Sequence, residues 1–243
     1  MENVLEVAGL TKIYKNGRGV KDITFDVCKG DIFGFLGPNG AGKTTVMKGI
    51  TGLNAIQKGT VKILGYNLNS QFESAIRNVG CIIETADVYE YMSAYENLKF
   101  VSRFHKNINE NDIDNILELV NLTKFKKEKA NKFSLGMKQR LALAKALLPN
   151  PELVILDEPA NGLDIEGTVQ MRNLIKELAA KRKMTFFISS HLVHEVELMC
   201  NKVAIIHEGQ LVNSGIPIGS IKEKFNSLED FYMNQVKGES SNE

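Results

Sequence analysis

The sequence predicts an α/β fold: a core of buried strands and helices, a small antiparallel sheet in front of it, and an inserted all-helical stretch. Three observations carry this prediction. Ile32 to Leu36 is a continuous apolar run, the pattern of a strand covered on both faces, and it leads straight into a glycine-rich turn. Ile23, Phe25 and Val27 alternate with Thr24 and Asp26, and Val61 and Ile63 flank Lys62, as in strands with one solvated face. From about residue 90 to 148 the apolar period becomes helical, and no strand pattern interrupts it.

Taken in order, a helix follows the glycine-rich turn and ends near Gly52. Ser93 and Glu96 have capping-box spacing and open a second helix. Ile113, Ile116, Leu117 and Val120 form one helical stripe, and Met137, Leu141, Ala144 and Leu148 another. After Pro151 strands and helices alternate again. Leu153 to Leu156 is a buried strand. Met171, Leu174, Ile175 and Leu178 share a helix face, and strands follow near Thr185 to Ile188 and Val203 to Ile206. Glu208-Gly209 suits a hairpin turn. The polar end, Gly238 to Glu243, is expected to fray.

Composition bounds the function. The chain has 243 residues, 43% of them hydrophobic and 24% charged, which suits a globular protein and excludes a disordered one. With 30 Lys and Arg against 29 Asp and Glu, no basic excess argues for nucleic acid. Cys28, Cys81 and Cys200 are odd in number, far apart and in no CxxC pair, so they read as free thiols. The acidic start lacks the apolar core of a secretory signal, and no apolar run approaches the ~20 residues of a membrane span. If the chain acts at a membrane, another polypeptide must cross it.

Gly37-Pro38-Asn39-Gly40-Ala41-Gly42-Lys43-Thr44 fits G-x-x-x-x-G-K-[ST] between a strand and a helix, the setting of a phosphate-binding loop. The glycines let backbone N–H groups turn inward around phosphate oxygens. The helix start, which includes Thr45, adds favourable partial charge. Lys43 is then placed to reach the β- and γ-phosphates, and the Thr44 hydroxyl to ligate Mg²⁺. A glycine-rich turn that only connects two elements is the bland alternative, and the flanking strand and helix outweigh it. Leu153-Val154-Ile155-Leu156-Asp157-Glu158 ends a buried strand in two carboxylates, at the sheet edge where nucleotide sites form. Asp157 can hold Mg²⁺, and Glu158 can polarise an attacking water as general base. His191 follows a strand at Ile188-Ser189-Ser190 and suits a γ-phosphate contact, although a lone histidine is more often structural. Ser134 is a good N-cap and Gly136 permits close backbone approach, so an anion site and a plain capped helix stand even there.

These motifs, in this order, resemble the ATP-binding subunit of an ABC transporter over nearly the whole chain. Gly37 to Thr44 resembles its Walker A motif, and Leu153 to Glu158 its Walker B motif with catalytic glutamate. Ser134-Leu135-Gly136 stands where the LSGGQ signature stands, and Asn161-Gly162-Leu163-Asp164 is similar to the D-loop. His191 resembles the switch histidine. Tyr14 occupies the place of the aromatic that stacks on adenine, against the alternative of a tyrosine buried in a strand. The resemblance implies a P-loop, RecA-like core with an antiparallel β subdomain and a helical subdomain near 90–148, as one domain over 1–237. It implies ATP and Mg²⁺ as cofactors and separate transmembrane permease subunits as partners. It further implies a head-to-tail homodimer in which Ser134 and Gly136 of one copy close over ATP on the other, at the cytoplasmic face of the membrane and without nucleic acid.

Two positions depart from the family pattern. The signature has Leu135 for its first glycine and Met137 for its glutamine. Glu84 stands where the family usually has the Q-loop glutamine, which would set three carboxylates, Glu84, Asp157 and Glu158, near one Mg²⁺. The alternative is that Glu84 faces away and contacts the membrane subunit. Glu84 together with Tyr89 to Leu98 resembles the subunits that energise lantibiotic-immunity and bacitracin-resistance exporters, which implies export of an antimicrobial peptide. Two rivals fare worse. A P-loop GTPase fits DxxG at Asp164 to Gly167, but Asp164 looks like a helix start and Asn201-Lys202-Val203-Ala204 lacks the aspartate of NKxD. A soluble ATPase acting on DNA or the ribosome usually carries two cassettes or a long coiled coil, and this chain has one cassette.

Overall fold

The computed structural model describes residues 2–239. The front sheet combines β1 (Asn3–Ile13), β2 (Gly19–Cys28), β4 (Lys58–Ile63) and β5 (Tyr66–Asn67) in the order β2-β1-β4-β5. The main sheet adds β3 (Ile32–Leu36), β6 (Val79–Ile82), β7 (Leu153–Asp157), β8 (Thr185–Ser190), β9 (Lys202–His207) and β10 (Gln210–Pro217). Its order is β10-β9-β3-β8-β7-β6. All its strand pairs are parallel except β9 with β10, which the Glu208-Gly209 turn joins with both residues at positive φ, 46° and 80°. The helices are α1 (Lys43–Ile50), α2 (Phe72–Ile76), α3 (Ala94–Ser102), α4 (Glu110–Leu119), α5 (Leu135–Leu147), α6 (Ile165–Arg182), α7 (Val193–Met199), α8 (Ile218–Lys222) and α9 (Leu228–Glu239).

Side-chain parity explains why the central strands read as unbroken apolar runs. In β7, Leu153 and Ile155 point to the front core, while Val154 and Leu156 point to the helical core behind. In β8, Phe187 faces front and Phe186 and Ile188 face back. A strand buried on both faces has no polar face to alternate with. In β2, by contrast, Ile23, Phe25 and Val27 are buried and Thr24 and Asp26 exposed, because only one face is covered. Phe25 brings this sheet onto the main one, its ring 5.2 Å from Phe187, 5.6 Å from Phe35 and 5.7 Å from Phe33. Burying each ring contributes about 1.5–3 kcal/mol, and this cluster is one of the joins between the two sheets.

The helical stretch forms as its caps dictate. Ser93 accepts from Glu96 N while Glu96 accepts from Ser93 N, and Asn109 makes the same exchange with Asp112. Between residues 90 and 148 the described chain contains no strand, only an isolated bridge between Ser93 and Lys129. Asp164 caps α6 through Gly167 N at 2.7 Å, so it opens a helix and does not serve a guanine-nucleotide DxxG turn. At the C-terminus α9 carries Gly238 and Glu239 in helix, where fraying was expected, and residues 240–243 lie outside the described residues. Among the described residues no helix is long and apolar enough to cross a membrane.

The parallel register places the site. Leu36 lies level with Ser190, and Asp157 level with Ser189. Gly37 N donates to Ser190 O at 3.2 Å, so the glycine-rich loop leaves the sheet at the same edge where β7 ends in carboxylates.

Candidate functional site

The loop from Gly37 to Gly42 packs too tightly for side chains at its ends. A Cβ on Gly37 would lie 2.3 Å from Ile206 O, and one on Gly42, at φ 107°, would lie 2.4 Å from Val20 Cγ1. Pro38, Asn39 and Gly40 are exposed, while Ala41 is buried. Gly42 caps α1 without a side-chain hydrogen bond, and the first turn of α1 holds no acid. Backbone N–H groups there, including those of Thr44 and Thr45, are left for an outside acceptor, which suits an anion. The Lys43 side chain is only 6% exposed and folds over the loop, donating to Gly37 O at 2.8 Å and Pro38 O at 3.1 Å.

The acidic pair at the end of β7 is held from three segments. Thr44 Oγ1 donates to Asp157 Oδ2 at 2.8 Å, and the fully buried Ser189 donates its hydroxyl to Asp157 Oδ1. The Ser189 hydroxyl also accepts from Glu158 N at 3.0 Å. Glu158 turns out of the strand at φ 50°, a backbone conformation that non-glycine residues adopt at a cost and mostly at functional positions. Its carboxylate lies between two bases: Oε1 is 3.1 Å from Lys43 Nζ, and Oε2 is 2.8 Å from His191 Nδ1. Oε1 is buried and has no hydrogen-bond partner beyond that charge contact. The Thr44 hydroxyl and the Asp157 carboxylate are hard oxygen donors within hydrogen-bond distance of each other, a donor set that fits Mg²⁺.

Lys43, Thr44, Asp157, Glu158 and His191 are thus gathered at one place. Tyr14 lies just beyond β1 and is 39% exposed, which removes the buried-strand alternative. Its hydroxyl accepts from Asn54 Nδ2 at 3.0 Å. An open groove of about 770 Å³ runs beside the loop, between Ile13, Arg18, Asn39, Gly40, His207 and Gly209.

Other expected residues are elsewhere. Ser134 caps α5, accepting from Met137 N at 3.3 Å, and is exposed. With Gly136 it lines a hollow of about 320 Å³ together with Gly162, Leu163 and Asp164, and no residue of the glycine-rich loop lines it. Glu84 is also apart: it stands at φ 70° and its carboxylate pairs with Lys48 of α1. Among the described residues no three His, Cys, Asp or Glu side chains are gathered as a metal-holding group, so Glu84 does not join Asp157 and Glu158 in this structure.

The profile of the ABC transporter family matches residues 20–161, which takes in the glycine-rich loop, the cap of α5 and the acidic pair. The chain belongs to the ABC transporter family. It is similar to the bacitracin transport ATP-binding protein BcrA of Bacillus licheniformis, with 42% identity over 96% of this chain and 76% of that one. It is also similar to the lantibiotic transport ATP-binding protein SrtF of Streptococcus pyogenes, with 35% identity over 96% of this chain and 97% of the relative. A solved ATP-binding subunit of an ABC transporter superposes with a TM-score of 0.83 and 29% identity, covering 96% of this chain and 99% of that structure. The protein is therefore an ATP-binding, ATP-hydrolysing cassette of the ABC transporter family.

Two residues of this ABC cassette escaped the sequence reading. Ser189 fastens both acids, and its signal was its place near the end of a strand, two residues before His191. Lys48 meets Glu84 across 36 residues of sequence, and nothing local marks that pairing.

Proposed function

We propose that two copies of this cassette pair head to tail around ATP and energise export of an antimicrobial peptide, such as a lantibiotic or bacitracin, through separate membrane subunits. ATP binds the loop from Gly37 to Thr45 of one copy, with its adenine on Tyr14, and Ser134 and Gly136 of the other copy close over its γ-phosphate. Thr44 and Asp157 hold Mg²⁺, which neutralises phosphate charge when bound. Lys43 leaves its own loop carbonyls for the phosphates. Glu158 accepts a proton from the attacking water, and His191, fixed through Nδ1, contacts the γ-phosphate. The observation that carries this reading is the Lys43–Glu158–His191 arrangement, in which the Glu158 carboxylate meets the Lys43 ammonium at 3.1 Å through one oxygen and His191 Nδ1 at 2.8 Å through the other.

The geometry of Gly136 supports action on a second copy. A Cβ there would meet only Leu163 Cδ2 at 3.7 Å, so this chain's own packing does not require glycine. Glycine in a helix costs up to about 1 kcal/mol relative to alanine, and close approach by something outside the chain accounts for it. The peptide substrate rests on the similarity to BcrA and SrtF, and the cytoplasmic membrane face on the need for spanning partners.

Glu158→Gln keeps shape and removes the base. Hydrolysis should fall about 10²–10⁴-fold with nucleotide binding retained, and Mg-ATP should hold two chains together in gel filtration. Unchanged turnover would remove Glu158 from the mechanism, and a monomer that keeps tightly bound ATP would oppose the sandwich.

A further inference from the structure

Glu84 lies between two well-built bodies. On one side β6 is paired in the main sheet as far as Ile82, opposite Leu156. On the other, residues 89–92 are fastened to the helical subdomain. The fully buried Asn97 accepts from Tyr89 N at 2.8 Å and donates to Tyr89 O at 3.0 Å. Ala130 N and Asn131 N donate to Met92 O and Glu90 O, each at 2.9 Å. Between the two bodies the backbone makes only two successive three-residue turns, Thr85 N to Ile83 O and Asp87 N to Thr85 O, each 3.0 Å. Glu84 itself is left-handed, a strained setting for a residue with a side chain.

Cations from two different helices grip this strap. Lys48, in the last turn of α1, pairs with Glu84. Lys145 of α5 donates to Asp87 O and sits 5.1 Å over the Tyr89 ring, and Lys138 of α5 pairs with Glu90. Burial lowers the pKa of Lys145, as befits an ammonium drawn in under the strap. Helix α1 begins at Lys43 and α5 is capped by Ser134. A chain of polar contacts therefore runs from the phosphate-binding helix, across the strap, to the signature helix, and Lys48–Glu84 is its fastening on the core side.

We propose that Lys48 is a positioning residue that pins Glu84 and, through the strap, sets the resting position of the helical subdomain against the phosphate-binding helix. The Glu84 side chain is 58% exposed, so the pair adds little to global stability and acts on the strap. This gives a carboxylate at position 84 a use that glutamine lacks: it bears the charge that Lys48 grips. An exposed, weak tie on a strained backbone is also one that a bound ligand or a docked membrane subunit can release. The proposal rests on the ATPase reading only for the consequence at the signature helix, because the pin itself needs no nucleotide.

Millisecond hydrogen exchange on the full chain without nucleotide tests it, read at the Thr85 and Asp87 amides with the α1 amides as reference. Lys48→Met and Glu84→Gln should each speed exchange at both strap amides about two- to fivefold, the range of an exposed ion pair, and leave α1 unchanged. Lys48→Glu should speed it further, and the double variant Lys48→Glu/Glu84→Lys should return within about twofold of wild type, as a pairwise interaction requires. Native rates in Lys48→Met, or a double variant as fast as Lys48→Glu alone, would overturn the pin. Neither result bears on whether the cassette hydrolyses ATP.

Discussion

At the carboxyl edge of the main sheet, Asp157 and Glu158 are gripped by Thr44, Ser189, Lys43 and His191, whereas at the start of α5 Ser134 caps its own helix and faces outward. The first region is a finished cluster whose side chains hold one another in place before any ligand arrives. The second has room: its glycine is not demanded by packing, and its hollow is open. Preorganised charge is worth most where water is excluded. The contrast teaches that folding alone builds the acidic cluster, whereas the start of α5 is left open on the surface, as the proposed pairing of two copies requires.

The hardest blow to the finished half is Lys43→Ala or Thr44→Ala. Each should reduce ATP turnover to background, and thermal unfolding should show a folded chain, since the hydrogen bonds and ion pair of the two side chains run to loop carbonyls and to Asp157 and Glu158. Normal turnover by either variant would dissolve the site assignment. Ser189→Ala is the next test. It strips one hydrogen bond from Asp157 and one from Glu158 N in a fully buried place. A loss of about 1–3 kcal/mol in stability follows from leaving such groups short of a partner. Turnover should fall roughly five- to a hundredfold if that loss appears in the positioning of the acids. A variant with native stability and native turnover would show that Ser189 is a bystander.

The open half should respond in the opposite manner. Gly136→Ala ought to leave stability within about 1 kcal/mol of wild type or raise it slightly, because alanine suits a helix better. Hydrolysis should still drop, because a methyl group would stand where a second copy approaches. Mixing Ser134→Ala chains with Lys43→Ala chains should restore about one working site per mixed dimer. Absence of rescue in mixed dimers shown to form would place the action of Ser134 within its own chain.

Much of this cassette was legible in residue order because the signals are local. Buried strands show as apolar runs, helices as stripes of period 3.6, and caps as residue pairs such as Ser93 with Glu96, each readable within one or two turns of chain. The phosphate loop was legible because its residues are consecutive between a strand and a helix, although the close packing that demands glycine comes from the distant Ile206 at Gly37 and Val20 at Gly42. Lys48, the partner of Glu84, was not legible, since a lysine in the last turn of a helix ordinarily serves the helix dipole. The expected triad of Glu84, Asp157 and Glu158 came from motif order, which carries no distances, and the structure sends Glu84 to α1 instead.

The sequence by itself therefore determined the central buried strands, the helical stretch from about 90 to 148 and the phosphate loop, and it singled out candidate residues for the chemistry. Tertiary structure decided who meets whom. The strand order β9-β3-β8-β7-β6 lays residues 37, 157 and 189 side by side, though more than a hundred positions of chain separate the first from the second. Nothing in a local pattern fixes strand order, because any parallel arrangement with both faces covered would bury the same apolar runs. Packing selects the order, and with it the hydroxyl of Ser189 beneath Asp157, the pairing of Lys43 with Glu158, and the outward stance of Ser134.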